Sequence, residues 1–201
     1  MRRYRAWIPG LVIMALMLVA VPSAQASVEE DAWEIEVYVG NYEPDVSFAD
    51  GDTTYGVRFG SNVTERFNFG VSVGFVDTEE SFTNVGSPPA SGDVNYDAIL
   101  LDVTFGVQFW PDSPVTGIVY GGFGWGDVDL DVDAVIEDDV IRISGAPKDS
   151  FLINLGLGAK IDLGDRFYLR VDGKARRFDD RSDDKVDLEY TVGLGIKFDG
   201  A

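Results

Sequence analysis

This chain of 201 residues predicts an all-β fold, an eight-stranded antiparallel up-and-down transmembrane β-barrel. Three observations lead there. From Trp33 to Phe198, eight segments alternate a bulky apolar residue with a glycine, polar or charged one. Tight turns and longer connections take turns in joining them, and a leader-like segment precedes them all. Strands that are greasy on one side and polar on the other can sit in lipid only if every backbone group is paired, and a closed barrel achieves this.

The first segment sets Trp33, Ile35, Val37 and Val39 against Glu34, Glu36, Tyr38 and Gly40. That is a period of two, the signature of a strand. The second sets Tyr55, Val57 and Phe59 against Gly56, Arg58 and Gly60; the third sets Phe67, Phe69, Val71, Val73 and Phe75 against Asn68, Gly70, Ser72 and Gly74. The fourth carries Ile99, Leu101, Val103, Phe105, Val107 and Phe109 outward and Leu100, Asp102, Thr104, Gly106 and Gln108 inward. It stops at Trp110-Pro111-Asp112-Ser113-Pro114, where proline removes ladder donors. The fifth places Val119, Gly121, Phe123 and Trp125 against Ile118, Tyr120, Gly122 and Gly124; the sixth places Phe151, Ile153, Leu155, Leu157 and Ile161 against Asn154, Gly156, Gly158, Lys160 and Asp162. The seventh alternates Phe167, Leu169, Val171, Gly173 and Ala175 with Tyr168, Arg170, Asp172, Lys174 and Arg176. The last alternates Leu188, Tyr190, Val192, Leu194, Ile196 and Phe198 with Glu189, Thr191, Gly193, Gly195 and Lys197.

Short turns are expected at 63–66, 110–114 and 163–166, and long loops at 41–53, 77–94, 126–149 and 178–186. This asymmetry suits periplasmic turns and extracellular loops. Trp33, Phe67, Phe109, Trp110, Phe167 and Phe198 gather at the short-turn end, and Tyr55, Phe75, Tyr96, Trp125, Phe151 and Tyr190 at the other, as two interfacial girdles. The alternative is a soluble calycin-type barrel, apolar inside. Against it, the second face carries Arg58, Lys160, Arg170, Lys174, Arg176 and Lys197 with Glu34, Glu36, Asp102, Asp162, Asp172 and Glu189, a poor lining for an apolar ligand.

Residues 1–26 read as a cleaved secretory signal peptide and 27–201 as the barrel domain. Met1-Arg2-Arg3-Tyr4-Arg5 is basic, Ile8 to Val21 is apolar, and Ala24-Gln25-Ala26 is a cleavage site. Cleavage removes three arginines and no acid, so the formal charge moves from -19 to -22. Phosphate polymers are repelled by such a surface, so no nucleic-acid partner is expected. Cysteine is absent, which excludes disulfides, thiolate metal sites and a cysteine-linked lipid anchor. No stretch after Ala26 approaches the ~20 apolar residues of a membrane helix.

Three runs carry the resemblance to a known family: Tyr120-Gly121-Gly122-Phe123-Gly124-Trp125, Leu163-Gly164-Asp165-Arg166-Phe167-Tyr168-Leu169-Arg170-Val171-Asp172, and Val192-Gly193-Leu194-Gly195-Ile196-Lys197-Phe198. Over residues 33–198 the chain resembles the eight-stranded outer-membrane barrels that include the outer membrane protein A transmembrane domain, the opacity proteins and the outer membrane protein W type. The resemblance implies a bacterial outer-membrane location, outer-membrane lipid, lipopolysaccharide and the barrel assembly machinery as partners, and a monomer. Family members usually end on an aromatic residue read by that machinery. Here Phe198 is followed by Asp199-Gly200-Ala201, and Phe198 is expected to serve.

Enzymes of this architecture rely on a histidine base, and the chain has none, so a non-enzymatic role is expected, with no catalytic, cofactor-binding or metal residue and no cofactor assigned. An eight-stranded barrel is only wide enough to be filled by side chains, so the inward ions are expected to pair as a plug. Gly56, Gly70, Gly106, Gly156 and Gly193 are expected to leave room for the long Arg and Lys chains. A narrow channel for small solutes or ions is the alternative. Excess negative charge falls in the loops, above all at Asp127, Asp129, Asp131 and Asp133, which as a strand would share one face opposite Val128, Leu130 and Val132. Oxygen clusters suit calcium or magnesium, but a calcium loop counted from Asp129 would have Ala134 and Val140 where glycine and glutamate belong. Divalent cations bridging these loops to lipopolysaccharide are therefore a hypothesis, with a solvated acidic face as the plainer account. Asn62-Val63-Thr64 matches a glycosylation sequon by chance at a periplasmic turn, and the Gly121–Gly126 run lacks the helix of a nucleotide loop.

Overall fold

The computed structural model describes residues 30–45, 52–85, 90–136, 139–144, 148–179 and 185–198. The expected leader lies outside them. Nine strands follow in order: β1 (Trp33–Glu43), β2 (Asp52–Asn62), β3 (Phe67–Val85), β4 (Ala90–Phe109), β5 (Val115–Ile136), β6 (Asp139–Ser144), β7 (Lys148–Asp162), β8 (Phe167–Phe178) and β9 (Asp187–Phe198). Eight of them close a ring, β1-β2-β3-β4-β5-β7-β8-β9 and back to β1, each pair antiparallel. The ninth, β6, pairs only with the far end of β5 among the described residues.

Alternation in the sequence becomes alternation between two environments. Val37, Val57, Phe105, Leu155 and Val192 are exposed, while Arg58, Asp102, Lys174, Arg176 and Glu189 are buried. A water-soluble protein would reverse that assignment, so the exposed rows face hydrocarbon and the calycin alternative falls. The girdles follow: Trp33, Phe67, Phe109, Trp110, Phe167 and Phe198 are exposed at one end, and Tyr55, Phe75, Trp125 and Tyr190 at the other. The side chain of Tyr96, expected in the outer girdle, lies outside the described residues.

The turns form where expected. After β2, the Val63 N–H donates to the Phe67 carbonyl at 2.8 Å, and the Thr64 hydroxyl accepts from the Phe67 N–H at 3.1 Å. After β7, Leu163 repeats the first bond with Phe167, and Gly164 supplies a φ of 119° that side chains resist. Ile161 keeps outward parity yet is buried, because Val115 and Leu169 flank it on the neighbouring strands.

Two of the four expected loops are strand instead. β3 continues to Val85 and β4 begins at Ala90, where a loop over 77–94 was expected; β5 runs to Ile136 and is answered by β6 within 126–149. The cause is that the two-residue period does not stop at the membrane boundary: only the outward residue type changes, from apolar to acidic. Ile136 lies eleven residues beyond Trp125, so a sheet wall of about 36 Å along the strand rises past the girdle.

Candidate functional site

Inside the barrel the charged side chains assemble in tiers. At the periplasmic floor Lys160 grips both carboxylate oxygens of Glu34, and the Asn62 amide donates to Glu34 at 3.2 Å and accepts from Gln108 at 2.8 Å. Asn62, buried in this network, is no glycan acceptor. Lys197 pairs with Asp162 beside it. In the middle tier Arg58 reaches Glu36 at 2.6 Å and Asp172 at 3.1 Å, while Arg170 forks onto Asp172 through Nε at 2.7 Å and Nη2 at 2.8 Å. Above it Asp102 accepts from Lys174 at 2.9 Å, Arg176 at 2.8 Å and the Asn154 amide at 2.9 Å. Glu189 faces the same two cations, at 3.4 Å from Lys174 and 2.9 Å from Arg176. All twelve ions read from the sequence line this interior, and each has a partner of opposite sign.

The inward glycines act differently from expectation. A methyl group at Gly56 or Gly156 would strike the ring of Tyr38 or Tyr120, and one at Gly195 would strike Tyr168. Over Gly70, Gly106 and Gly193 lie Thr104, Asn68 and Glu36, so none of these glycines makes room for an Arg or Lys chain directly. The tyrosine lies flat on the glycine of the next strand, and a cation then stands over the ring: Arg58 on Tyr38 at 5.1 Å, Lys160 on Tyr168 at 5.1 Å, Arg170 on Tyr120 at 5.4 Å. Each such contact contributes about 0.5–2 kcal/mol, more when desolvated. The long cationic chains thereby gain a second support besides their acids.

Sequence reasoning missed the lid of the lumen. Tyr42, Val76, Ala98, Leu100, Leu152 and Phe178 form one buried apolar cluster at the extracellular end. Beside it Asp187, also buried, accepts from the Tyr42 hydroxyl and, at 2.8 Å, from the Asp45 N–H. The signal was present as parity. Tyr42 continues the inward row of Tyr38, Phe178 that of Arg176, and Asp187 that of Glu189, but all three fell in segments assigned to loops or strand ends.

Outside the membrane the wall has two faces. Register places Asp77 opposite Asp97, Asp97 opposite Asp129, and Asp93 opposite Asp133, on the row continuing upward from Ile99 and Trp125. Buried Ala98 and half-buried Val128, register partners on β4 and β5, continue the other row. The reading of 127–133 as a strand describes β5, with Asp127 and Asp129 exposed; the side chains of Asp131 and Asp133 lie outside the described residues. Among the described residues no group of three acidic side chains is placed to hold a metal ion.

A closed antiparallel barrel with lipid-facing valines and an ionic interior defines an integral outer-membrane β-barrel. The chain belongs to the outer membrane protein beta-barrel domain family, whose model matches residues 11–198, and so to the bacterial outer membrane. It is similar in structure to OprG of Pseudomonas aeruginosa, with 13% identity, 89% of this chain and 100% of that chain covered, and a TM-score of 0.61. A major outer membrane protein of Thermus thermophilus follows with 12%, 83%, 99% and 0.56, and Neisserial surface protein A with 11%, 84%, 100% and 0.55. At such identity the likeness concerns the fold alone. A comparison with curated proteins returns no match.

Proposed function

We propose that this protein is a non-enzymatic, monomeric structural barrel of the envelope, exported by cleavage after Ala26, sealed to ions and presenting an acidic wall to the exterior. The observation that carries this reading is the double closure of the lumen, a fully paired ionic tier under an apolar layer. In the lower half a cavity of about 20 Å³ lined by Glu34, Arg58, Asn62, Tyr120 and Arg170 has room for about one water. Planar-bilayer recording tests it. The sealed barrel gives no discrete current steps; steps that change on substitution of Arg58, Arg170 or Glu36 establish the channel instead. One observation favours that second reading: Arg58 Nη2, Tyr120 Oη, Asn154 Oδ1 and Arg176 Nε are buried in the lumen without a hydrogen-bond partner, as in a hydrated path.

The chemistry of the exterior supports lipopolysaccharide as a neighbour, with divalent cations bridging its phosphates to the wall's acids. Exchange of Asp129, Asp131 and Asp133 for asparagine should then remove any calcium-induced rise in melting temperature. A melting curve indifferent to calcium in the parent protein rejects the bridge. The Yersinia pestis protein Ail, similar at 14% identity over 84% of this chain and 99% of that chain with a TM-score of 0.50, has been crystallised with the heparin analogue sucrose octasulfate. A wall rich in aspartate offers such a polyanion no complement, and we assign no site of that kind here.

A further inference from the structure

The cavity in the lower lumen is lopsided in charge. Arg58 and Arg170 both line it, whereas the acids that pair with them, Glu36 and Asp172, stand outside its lining. Among the described residues Glu34 is the one acid in that lining, and Lys160 holds both of its oxygens. Donors remain after the ion pairs are made. Arg58 commits Nη1 to Glu36 and Asp172, and its Nη2 meets no hydrogen-bond partner. Arg170 commits Nε and Nη2 to Asp172, so that carboxylate does not engage its Nη1. The Tyr120 hydroxyl, on a third lining residue, is unpartnered too. Arg58 and Tyr120 are 7% and 4% exposed, so bulk water does not serve them. A buried polar atom in that position costs about 1–3 kcal/mol and calls for an occupant.

Size and sign narrow what that occupant is. A volume of about 20 Å³ admits one particle of about the size of a water molecule, which excludes phosphate, sulfate and organic acids. Guanidinium N–H groups bond most strongly to an ionised acceptor, and a site away from bulk water strengthens the bond further. A halide ion is only slightly larger than water, accepts hydrogen bonds from every side and brings no proton of its own to set against the arginines. Asn68, half-exposed at the periplasmic end of β3, also belongs to the lining and puts the entrance on that side.

We propose that the lower lumen binds one monovalent anion of halide size, held by Arg58, Arg170 and the Tyr120 hydroxyl. The site belongs to the ionic tiers and not to the apolar layer above them, so a conducting barrel leaves it standing.

Bromide, recognisable by its anomalous scattering, is the probe. Crystals of the full barrel grown in sodium bromide should show an anomalous peak among Arg58, Arg170 and Tyr120. In detergent at constant ionic strength, bromide replacing gluconate, which is too large for the cavity, should raise the folding equilibrium constant. The rise should be about tenfold for each tenfold in bromide above its dissociation constant, read by urea titration of the gel mobility. Tyr120→Phe keeps the ring that lies on Gly156 and under Arg170 and removes the hydroxyl. It should weaken bromide by about tenfold, the worth of one hydrogen bond to a charged group. If that variant fails to fold, Arg58→Lys, which keeps the charge facing Glu36, should show the same weakening. A parent protein indifferent to bromide holds water alone in the cavity, and that overturns the proposal. A peak without the solution response is binding at crystal concentration only and overturns it as well. So does a response whose peak lies elsewhere, or one that the folded variant leaves unchanged.

Discussion

Asp102 carries more of the interior than any other single side chain. Its two oxygens serve Lys174, Arg176, Asn154 and, at 3.4 Å, the Ser72 hydroxyl, and they do so with almost no exposure to solvent. Two cations from β8 depend on one acid from β4, nearly across the barrel. Glu189 shares the load, but its 3.4 Å approach to Lys174 is the longer one. Asp102→Asn removes the charge and keeps the shape, leaving Lys174 and Arg176 in excess over Glu189. The expected loss is about 3–5 kcal/mol, the penalty for breaking a buried pair by removing one partner. Urea titration followed by the mobility difference between folded and unfolded forms on a gel measures it. The tyrosine layers belong to the same scale. A ring on a neighbouring glycine is a fit between two strands, and it explains glycine where a stretched chain would otherwise prefer a branched residue.

At the scale of elements, β6 and the end of β5 lie beyond the seam between β5 and β7, while β5 stays paired with β4 as far as Ile136 opposite Ala90. Closure between β5 and β7 is complete from Val115 opposite Ile161 to Val128 opposite Lys148, and the described residues 129–136 and 139–144 lie beyond it. Val128 and Lys148 are themselves register partners, so an Asn-Gly turn can join them directly. A protein shortened this way should still change mobility on heating, because the seam between β5 and β7 is intact, while Ala90 to Asp97 of β4 lose their partners on β5. Failure to reach the folded form in detergent would show the wall to be part of the barrel's own stability. This hairpin also marks where the sequence became harder to read. Within the membrane each strand declares itself by the contrast between valine or phenylalanine and glycine or charge. Past Trp125 the same alternation runs between aspartate and valine, which loops with acidic composition imitate. Composition concealed the strand while the period still encoded it. The ionic tiers were legible for a related reason: twelve charges on the inward rows must pair, whichever partners they take. Which acid takes which cation depends on the stagger between strands distant in sequence, and no local pattern records that.

The molecule as a whole is ordered from the outside in, apolar, then backbone, then ionic. Leu155, 65% exposed in the middle of the outward row of β7, lies where lipid tails are thickest. Leu155→Arg should therefore cost about 2–4 kcal/mol in refolding into bilayers, the measured scale for arginine near the midplane of such barrels. A neutral result in reversible bilayer folding would mean that this row does not meet hydrocarbon. The height of the wall has a different implication, concerning the route by which the protein arrives. To stand outside, the end of β5 must travel through the membrane from the side on which the chain is delivered, and it takes Asp127, Asp129, Asp131 and Asp133 along. Insertion scales put one aspartate at the bilayer centre near 2.5–3.5 kcal/mol, so four in a single hairpin meet a barrier of roughly 10 kcal/mol in bare lipid. Passage on a biological timescale calls for a wet or thinned corridor during insertion, and the longest hairpin of this protein sets how wide that corridor has to be.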